Sequence, residues 1–459
     1  MSAREARGPL TTLAVLLAAI GSVAAFFLSV EGYLPWDAMV RSWAAAEDRE
    51  AEVTGGDATW VVGDVAVRSR HDAVSGYALT GDDKGGKLWE YVPPGRDTVC
   101  DSAEHAGAKA VLVALSSGGG SDDADGGSGA CSTVLALDAE SGRQLWKREW
   151  EPAKDPLSDA TDLSALDLDA RGDLAVVAED PFEGYPQDGT QERAAKKDGA
   201  YALRALDLRT GAPRWTAELP DRCAPDEVSA GEKRVVAVLS CDAGGRDRRE
   251  VSELTVAVLD RATGAVEWNV PVDARRPLDP ATSVVIDATD PLVLAVGSSD
   301  EAEGASGLFA SFDDDGRPRP TIDFDQGDDG IIGADSLMQT VVAGDRLYAL
   351  AGYWEKGEHH TVIAFDLRTG DRVWSEEMDD PAAAMTVSGD RLTVLCEWST
   401  QSDDITTLIE LDARDGDETD ERHFRDPVPR PVSAMYEADG LLVTAGRGGG
   451  APFTAWERW

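Results

Sequence analysis

The residues that could carry out chemistry in this 459-residue chain are few, and their spacing does not match a catalytic motif. The five histidines show no metal-protease spacing, and no Gly-x-Ser-x-Gly nucleophile elbow occurs. Asp123 and Asp125 precede Gly126 and imitate the start of a calcium-binding loop, but the acidic residue that would close such a loop is missing. The sequence therefore predicts no catalytic residue and no metal site.

The cysteines predict disulfides rather than a zinc site, because none of the five has Cys-x-x-Cys spacing. Cys223 opens a predicted strand and Cys241 closes its hairpin partner, so antiparallel pairing would bring them side by side. Cys100 and Cys131 lie at one edge of an earlier predicted sheet and form the second candidate pair. Cys396 is left over as a buried thiol.

The charge of the chain excludes one class of function. The formal net charge is -43 at pH 7. Such a field repels nucleic acid, so nucleic-acid binding is disfavoured. The charge itself names no ligand, and a solvated acidic surface is its simplest interpretation.

The N-terminal segment 9–30 predicts a transmembrane helix. It contains no charged residue, and a helix of 22 residues is about 33 Å long, enough to cross the hydrocarbon core. Arg4 and Arg7 precede it and Glu31 follows it, so the positive-inside rule leaves residues 1–8 in the cytoplasm. A cleaved signal peptide remains the alternative, because small residues at 22–25 offer cleavage sites.

The organisation that follows is a single-pass cell-membrane protein. Residues 1–8 are a short cytoplasmic tail, 9–30 are a signal-anchor helix and 31–55 are a linker. Residues 56–459 form the main domain on the extracytoplasmic side of the membrane, where disulfides persist.

The elements of this domain are set by an internal repeat. Four segments, 135–146, 204–215, 257–268 and 363–374, align without gaps and share Asp-x-x-(Thr/Ser)-Gly-x-x-x-Trp. The shared residues are Asp138, Gly142 and Trp146; Asp207, Gly211 and Trp215; Asp260, Gly264 and Trp268; and Asp366, Gly370 and Trp374. Weaker copies end at Trp89, lose the Trp at 313–320, and carry Asp420 in its place at 412–420.

The period of the repeat predicts an all-β fold. Successive markers are 44 to 69 residues apart, and the 46 glycines and 22 prolines suit many short strands joined by turns. Each period reads as four strands, which predicts an eight-bladed β-propeller, with seven blades as the alternative. The last blade lacks a fourth strand after 452–459, and residues 47–55 are the segment considered for filling it.

The motif residues have structural roles in this interpretation. The Gly adopts positive φ in a turn, and the Asp accepts hydrogen bonds from nearby backbone N–H groups. The Trp covers apolar surface between blades, and its indole N–H requires an acceptor.

These motifs resemble the PQQ-repeat family of propellers, which includes quinoprotein alcohol dehydrogenases and the assembly lipoprotein BamB. The resemblance covers about residues 56–459 and implies the propeller fold. The dehydrogenases have a disulfide between adjacent cysteines, inserted segments around a substrate cavity and a catalytic Asp. This chain has no Cys-Cys pair, lacks those insertions, and has no residue that matches that Asp. The resemblance is therefore to the non-enzymatic BamB-like branch, with neither PQQ nor calcium as a cofactor.

The sequence thus predicts a binding or scaffolding module of the cell envelope, not an enzyme. Its partner would be a protein or peptide. The alternatives are a PQQ-dependent oxidoreductase and a ligand sensor.

Overall fold

The computed structural model describes residues 20–23, 38–48, 56–116, 131–149, 167–179, 202–220, 223–241, 253–273, 283–297, 307–332, 340–353, 358–397, 405–429, 431–446 and 450–459. Within these ranges the chain is all-β and forms several sheets of four antiparallel strands. The architecture is that of a β-propeller. Each group of strands that forms one repeat of this pattern is called a unit below. Most units contain four consecutive strands, unit 6 contains five, and unit 8 includes β1 from the N-terminal region.

The strands of units 1 to 4 follow one another in the sequence. Unit 1 contains β2 (Ala58–Val62), β3 (Val65–Arg70), β4 (Ala73–Ala78) and β5 (Lys87–Tyr91). Unit 2 contains β6 (Thr98–Ser102), β7 (Ala110–Ser116), β8 (Cys131–Asp138) and β9 (Gln144–Glu149). Unit 3 contains β10 (Leu168–Arg171), β11 (Leu174–Glu179), β12 (Ala202–Asp207) and β13 (Pro213–Glu218). Unit 4 contains β14 (Cys223–Ala230), β15 (Arg234–Cys241), β16 (Glu253–Asp260) and β17 (Val266–Pro271).

Units 5 to 8 vary this pattern. Unit 5 contains β18 (Ser283–Thr289), β19 (Leu292–Gly297), β20 (Gly307–Phe312) and β21 (Ile322–Asp323). Unit 6 contains β22 (Ile331–Ile332), β23 (Thr340–Ala343), β24 (Arg346–Tyr353), β25 (Glu358–Asp366) and β26 (Arg372–Glu377), and a 3₁₀ turn, Gly327–Asp329, precedes it. Unit 7 contains β27 (Ala382–Ser388), β28 (Arg391–Glu397), β29 (Ile405–Asp412) and β30 (Glu418–Val428). Unit 8 contains β31 (Val432–Ala438), β32 (Leu441–Gly446), β33 (Phe453–Arg458) and β1 (Ala38–Ala44).

The hydrophobic core lies between the units. The second and third strands are apolar on both faces, because each sheet packs against a neighbour on either side. Leu203 and Trp215 of unit 3, for example, pack in one buried cluster with Val235 and Leu239 of unit 4. Comparable clusters lie at the other contacts between consecutive units.

The innermost strands of consecutive units contact one another around the molecule. β10 contacts β6 and β14, β14 contacts β18, and β18 contacts β23. β23 contacts β27, β27 contacts β31, and β31 contacts β2. β6 contacts β3 of unit 1, so these contacts return to the unit where they began.

The fourth strand of unit 8 comes from the other end of the chain. β1 pairs antiparallel with β33, with Met39 opposite Arg458 and Trp43 opposite Ala455, and it also pairs parallel with β30 of unit 7. An N-terminal segment thus completes the last blade as considered from the sequence, but it is Ala38–Ala44 of the predicted linker 31–55 rather than 47–55. Asp48 makes only an isolated bridge to Gly450, while Ala38, Met39 and Trp43 of β1 are buried.

Little of the N-terminal segment is described. Residues 20–23 are helical, and the side chains of Ile20 and Val23 are exposed. The rest of the predicted anchor 9–30 lies outside the described residues. Over the described ranges, no helix has the length and apolar character needed to cross a membrane.

Candidate functional site

The repeat motif forms a hydrogen-bonded turn between the third and fourth strands. In unit 4, Asp260 accepts hydrogen bonds from the backbone N–H of Thr263 at 2.8 Å and from its hydroxyl at 2.5 Å. These bonds lower the pKa of Asp260. Asp207 makes the same contacts with Thr210, and together with the Arg214 guanidinium, which is the larger cause, they lower its pKa to about 2. The motif carboxylates are therefore fully ionised parts of turns.

The motif glycine is required for two reasons. Gly264 has φ of +73°, which favours glycine, and a Cβ there would lie 2.5 Å from Cε3 of Trp215 in the preceding unit. The tryptophan of each regular unit therefore packs against the motif turn of the next unit. The same close approach joins Gly142 to Trp89, Gly211 to Trp146, Gly316 to Trp268 and Gly416 to Trp374.

The motif tryptophans also bond across the junction. Each indole N–H donates to the backbone carbonyl of the residue that follows the marker Asp in the next unit. The bonds run from Trp89 to Ala139 (3.0 Å), Trp146 to Leu208 (2.7 Å), Trp215 to Arg261 (2.9 Å), Trp268 to Asp314 (3.1 Å) and Trp374 to Ala413 (3.3 Å). The motif therefore joins consecutive units.

Two junctions fill this position with a residue from outside the motif. Between units 5 and 6, Pro320 packs against the turn glycine, with 3.0 Å between the Pro320 Cβ and a Cβ placed on Gly370. Between units 8 and 1, Trp43 of β1 packs on Gly85, with 3.0 Å between the Trp43 Cε3 and a Cβ placed on Gly85. The Trp43 Nε1 atom is buried and has no hydrogen-bond partner among the described residues, and the turn of unit 1 that it faces is one residue longer than the regular turns.

Both predicted disulfides are confirmed, and both lie at the rim opposite the marker turns. Cys223 and Cys241 are directly opposed at the ends of β14 and β15. Cys100 in β6 bonds to Cys131, the first residue of β8. Cys396 is a buried free thiol, and burial raises its pKa.

The inner strands of units 2 to 5 carry a group of carboxylates that the sequence analysis did not identify. Burial raises the pKa of Asp101 and of Asp287 to about 7 and that of Glu227 to about 8. Burial raises the pKa of Asp167 further above its ordinary value, with the charges of Asp101 and Glu227 adding to the effect. Asp101, Glu227 and Asp287 sit at ordinary strand positions and Asp167 lies just before β10, so only the contacts between consecutive units bring the group together.

Several of these carboxylates join neighbouring inner strands. Asp169 accepts hydrogen bonds from the backbone N–H groups of His105 in unit 2 (2.9 Å) and Ala230 in unit 4 (2.7 Å). Glu227 accepts from the N–H of Ile286 in unit 5 at 3.0 Å. One carboxylate oxygen, Oδ2, of Asp287 is buried without a partner in the described part of the chain.

His105 completes this group. Its Nδ1 lies 3.1 Å from Oδ2 of Asp169. Burial lowers the pKa of His105, but the hydrogen bond and charge of Asp169 outweigh it and leave the pKa above its ordinary value. Across the described ranges, no three His, Cys, Asp or Glu side chains are arranged to hold a metal ion, and the calcium-like loop at 121–129 lies outside those ranges.

A cleft between units 7 and 8 is lined by Glu410, and the residue opposite Glu410 is Asp420, which stands where the motif has its tryptophan. The cleft has a volume of about 330 Å³. Its floor includes Leu408, Leu442 and Trp456, and its charged lining includes Glu410 and Arg458. We call it the closing cleft, since it lies where β1 completes unit 8.

The sequence was compared with protein-family models and with curated proteins. The model described as outer membrane protein assembly factor BamB matches residues 36–236 and 130–422. No curated protein sequence matches the chain.

Solved structures resemble the chain at low identity. The quinohemoprotein alcohol dehydrogenase ADHIIG of Pseudomonas putida HK5 has a TM-score of 0.51 and 10% identity, over 92% of this chain and 76% of its own. A europium-containing methanol dehydrogenase has a TM-score of 0.50 and 12% identity, over 90% and 85%. BamB from Moraxella catarrhalis has a TM-score of 0.47 and 15% identity, over 90% and 99%. The two dehydrogenase matches show the shared fold alone.

Proposed function

Since this chain belongs to the family described as outer membrane protein assembly factor BamB, we propose that it is a membrane-anchored, extracytoplasmic propeller that binds or scaffolds envelope proteins. The family and the fold suggest a module that acts by holding protein partners. A propeller suits this role because it carries loops on both rims of a rigid ring.

The observation that carries the extracytoplasmic part of the proposal is the pair of disulfides. Cys100–Cys131 and Cys223–Cys241 are both formed, and disulfides persist in oxidising compartments outside the cytoplasm. They secure the rim from which the connections 117–130 and 242–252 begin. This rim is the proposed partner surface.

The proposed ring has eight blades, one for each unit. The inner-strand contacts support this number, because they pass from unit 1 to unit 8 and return to unit 1. The shared pattern of a third-to-fourth-strand turn seated against the preceding unit supports it as well.

The proposed anchor would hold the ring close to the membrane. Only residues 31–37 separate the predicted helix 9–30 from the start of β1 at Ala38. Because Met39 is opposite Arg458 at the marker-turn end of β33, the chain would enter the ring on that rim. The disulfide-bearing rim would then face away from the bilayer, toward partners.

The proposed absence of PQQ rests on charge. PQQ is a tricarboxylate, so its binding requires basic groups. Asp101, Glu227 and Asp287 in the described inner strands of units 2 to 5, and Asp167 just before β10, instead add repulsion toward an anionic cofactor as they ionise, and they do not supply the basic groups that it requires. No oxidation step is derived for this chain.

Crosslinking in the native membrane tests the proposed function. We expect the full-length protein to capture envelope proteins through reactive groups introduced on the disulfide-bearing rim, for example at Asp226. The matched control carries the same group on the opposite rim at Asp82. Capture of cytoplasmic proteins alone, or digestion of the propeller by a protease added only to the cytoplasmic face, would contradict the proposal.

A further inference from the structure

The junction between units 7 and 8 lacks the side chain that fills the other junctions. Elsewhere a tryptophan, or Pro320 between units 5 and 6, seats against the turn of the following unit. In unit 7 the equivalent residue is Asp420. Unit 8 has no such turn, because its third and fourth strands, β33 and β1, come from opposite ends of the chain.

The register shows how far this junction departs from the repeat. In the regular units the tryptophan lies opposite an apolar residue, as Trp146 does opposite Ala136 and Trp374 opposite Ala364. In unit 7 the same pair is Glu410 and Asp420. Directly opposed side chains of an antiparallel pair share one face of the sheet, so both carboxylates face unit 8.

Three arginines neutralise these carboxylates, and the first is Arg422, whose Nε donates to Asp420 at 2.7 Å. Arg458 bonds to Glu410, and its Nη1 lies 3.3 Å from Asp420. Arg391 lies 3.4 Å from Glu410 and also bonds to Glu437. Two like charges directly opposed on a sheet are unfavourable, so these ion pairs are needed to hold the arrangement. The Glu410 side chain is only 9% exposed, so this carboxylate is held inside the junction and is not part of the solvated surface.

The closing cleft lies at this junction, beside Glu410 of the Glu410–Asp420 pair. Its volume of about 330 Å³ and its floor of Leu408, Leu442 and Trp456 accept an aromatic ring. Its charged lining also includes Asp439, so the acids at the cleft outnumber Arg391 and Arg458. The excess of acids favours a positively charged neighbour for that ring.

We propose that the closing cleft binds an extended peptide segment of a partner protein, which inserts a tryptophan side chain beside a lysine or arginine. The partner would supply the tryptophan that the regular units carry in their own fourth strand and that unit 7 lacks at Asp420. This inference rests on the proposed function as a protein-binding module, and it adds the chemistry that the partner segment carries.

Labelled peptides and the detergent-solubilised full-length protein test the proposal. We expect Gly-Lys-Trp-Lys-Gly to bind at least about tenfold more tightly than Gly-Lys-Ala-Lys-Gly at physiological ionic strength, because only the first buries an aromatic ring. Asp420→Trp restores the motif and should abolish this difference. Asp82→Trp, the same change at an exposed turn of unit 1, should leave it intact.

A second variant keeps the test valid if Asp420→Trp does not fold. Leu408→Phe narrows the floor of the cleft without changing its charge, and we expect it to weaken binding of the tryptophan peptide as well. Equal binding of the two peptides, or an unchanged preference in both cleft variants, would overturn the proposal. So would self-association of the free protein that Asp420→Trp removes, since a second copy would then be the occupant.

The peptide assay separates this inference from the proposed function. If crosslinking captures envelope proteins while the peptides do not discriminate, the cleft is not the binding site and the scaffold role stands. If the peptides discriminate but no envelope protein is captured, the cleft stands and the envelope role fails.

Discussion

The indole Nε1 of Trp215 donates a hydrogen bond to the carbonyl oxygen of Arg261 at 2.9 Å, and this bond ties the outer strand of unit 3 to the turn of unit 4. The same ring covers Gly264 so closely that a Cβ could not be added. Neighbouring units are therefore joined by a side chain that fills space and a polar group that is satisfied in the same place. Removing the two contributions separately should reveal their relative sizes.

We predict that Trp215→Ala lowers the free energy of unfolding by about 3–5 kcal/mol, since it empties a buried junction. Trp215→Phe should cost less, because most of the ring remains while the hydrogen bond to Arg261 is lost. Denaturant unfolding measures both effects. Trp459→Ala is the control, since this tryptophan is 47% exposed. Equal losses for Trp459 and Trp215 would contradict the junction role.

The tryptophan of β1 should respond differently. Trp43 is buried, but its indole nitrogen has no partner among the described residues, so Trp43→Phe removes an unsatisfied polar group. We therefore predict that Trp43→Phe is close to neutral and that Trp43→Ala destabilises by about 3 kcal/mol or more. Thermal or denaturant unfolding can compare these with the matching Trp215 pair. A Trp43→Phe loss as large as that of Trp215→Phe would indicate a hydrogen bond at Trp43 after all.

Thiol titration should count one free cysteine. Cys396 is buried and its pKa is raised, so the folded protein should not react with a thiol reagent. Denaturation without reductant should expose one thiol, and denaturation with reductant should expose five. Cys396→Ser provides the control and should give none before reduction. Three or five thiols before reduction would mean that one or both disulfides do not form.

Stability should depend on pH in a defined direction. The pKa values of Asp101 and Asp287 are about 7 and that of Glu227 is about 8, all above their ordinary values. Acids with raised pKa stabilise the fold fully below about pH 4, and this contribution is lost as the pH rises through 7 to 8. We predict that the free energy of unfolding increases from pH 9 to pH 5. It should fall again below about pH 4, as Asp207 with its pKa of about 2 loses its ion pair.

Single substitutions test the origin of that dependence. Glu227→Gln keeps an oxygen that can accept the N–H of Ile286 and removes the ionisable group. It should raise stability at pH 9 by on the order of 2 kcal/mol and reduce the slope between pH 5 and 9. Asp82→Asn, at an exposed turn, should leave the slope unchanged. An identical slope in Glu227→Gln and the parent protein would show that general charge repulsion causes the effect.

Adding PQQ and calcium should have no effect on the purified protein. The inner carboxylates disfavour an anionic cofactor, so we predict neither a bound-quinone absorption spectrum nor a rise in the thermal unfolding temperature. The two ligands should be tested separately and together, because calcium alone could stabilise an acidic protein. A saturable quinone spectrum that appears only when both are present would favour the oxidoreductase alternative.

The repeat allowed much of the fold to be predicted from the sequence. The markers around Asp138 and Asp366 place the turns correctly because the motif is local, and Cys223 pairs with Cys241 because a hairpin brings them together. Local patterns of this kind are visible in the linear chain.

Features that depend on distant segments were missed. β1 lay inside the predicted linker 31–55, because its partner β33 is at the other end of the chain and no turn connects them. The carboxylates Asp101, Glu227 and Asp287 belong to three different units and come together only when the ring closes. The closing cleft was also missed. It lies at the junction where Asp420 stands in place of the motif tryptophan, and Met39 of β1, from the N-terminal region, lines it.

The pairing of β1 with β33 also fixes the order in which the molecule can be completed. A ribosome releases β1 long before its antiparallel partner β33, so the edge of β1 that pairs with β33 stays unpaired until β33 has been synthesised. Pairing β1 with β33, which are far apart in the sequence, costs loop-closure entropy, and the contacts that offset this cost form when the ring closes. Closure of the ring therefore requires both β1 and β33. A product that lacks β33 would leave the edge of β1 unpaired and exposed to proteases.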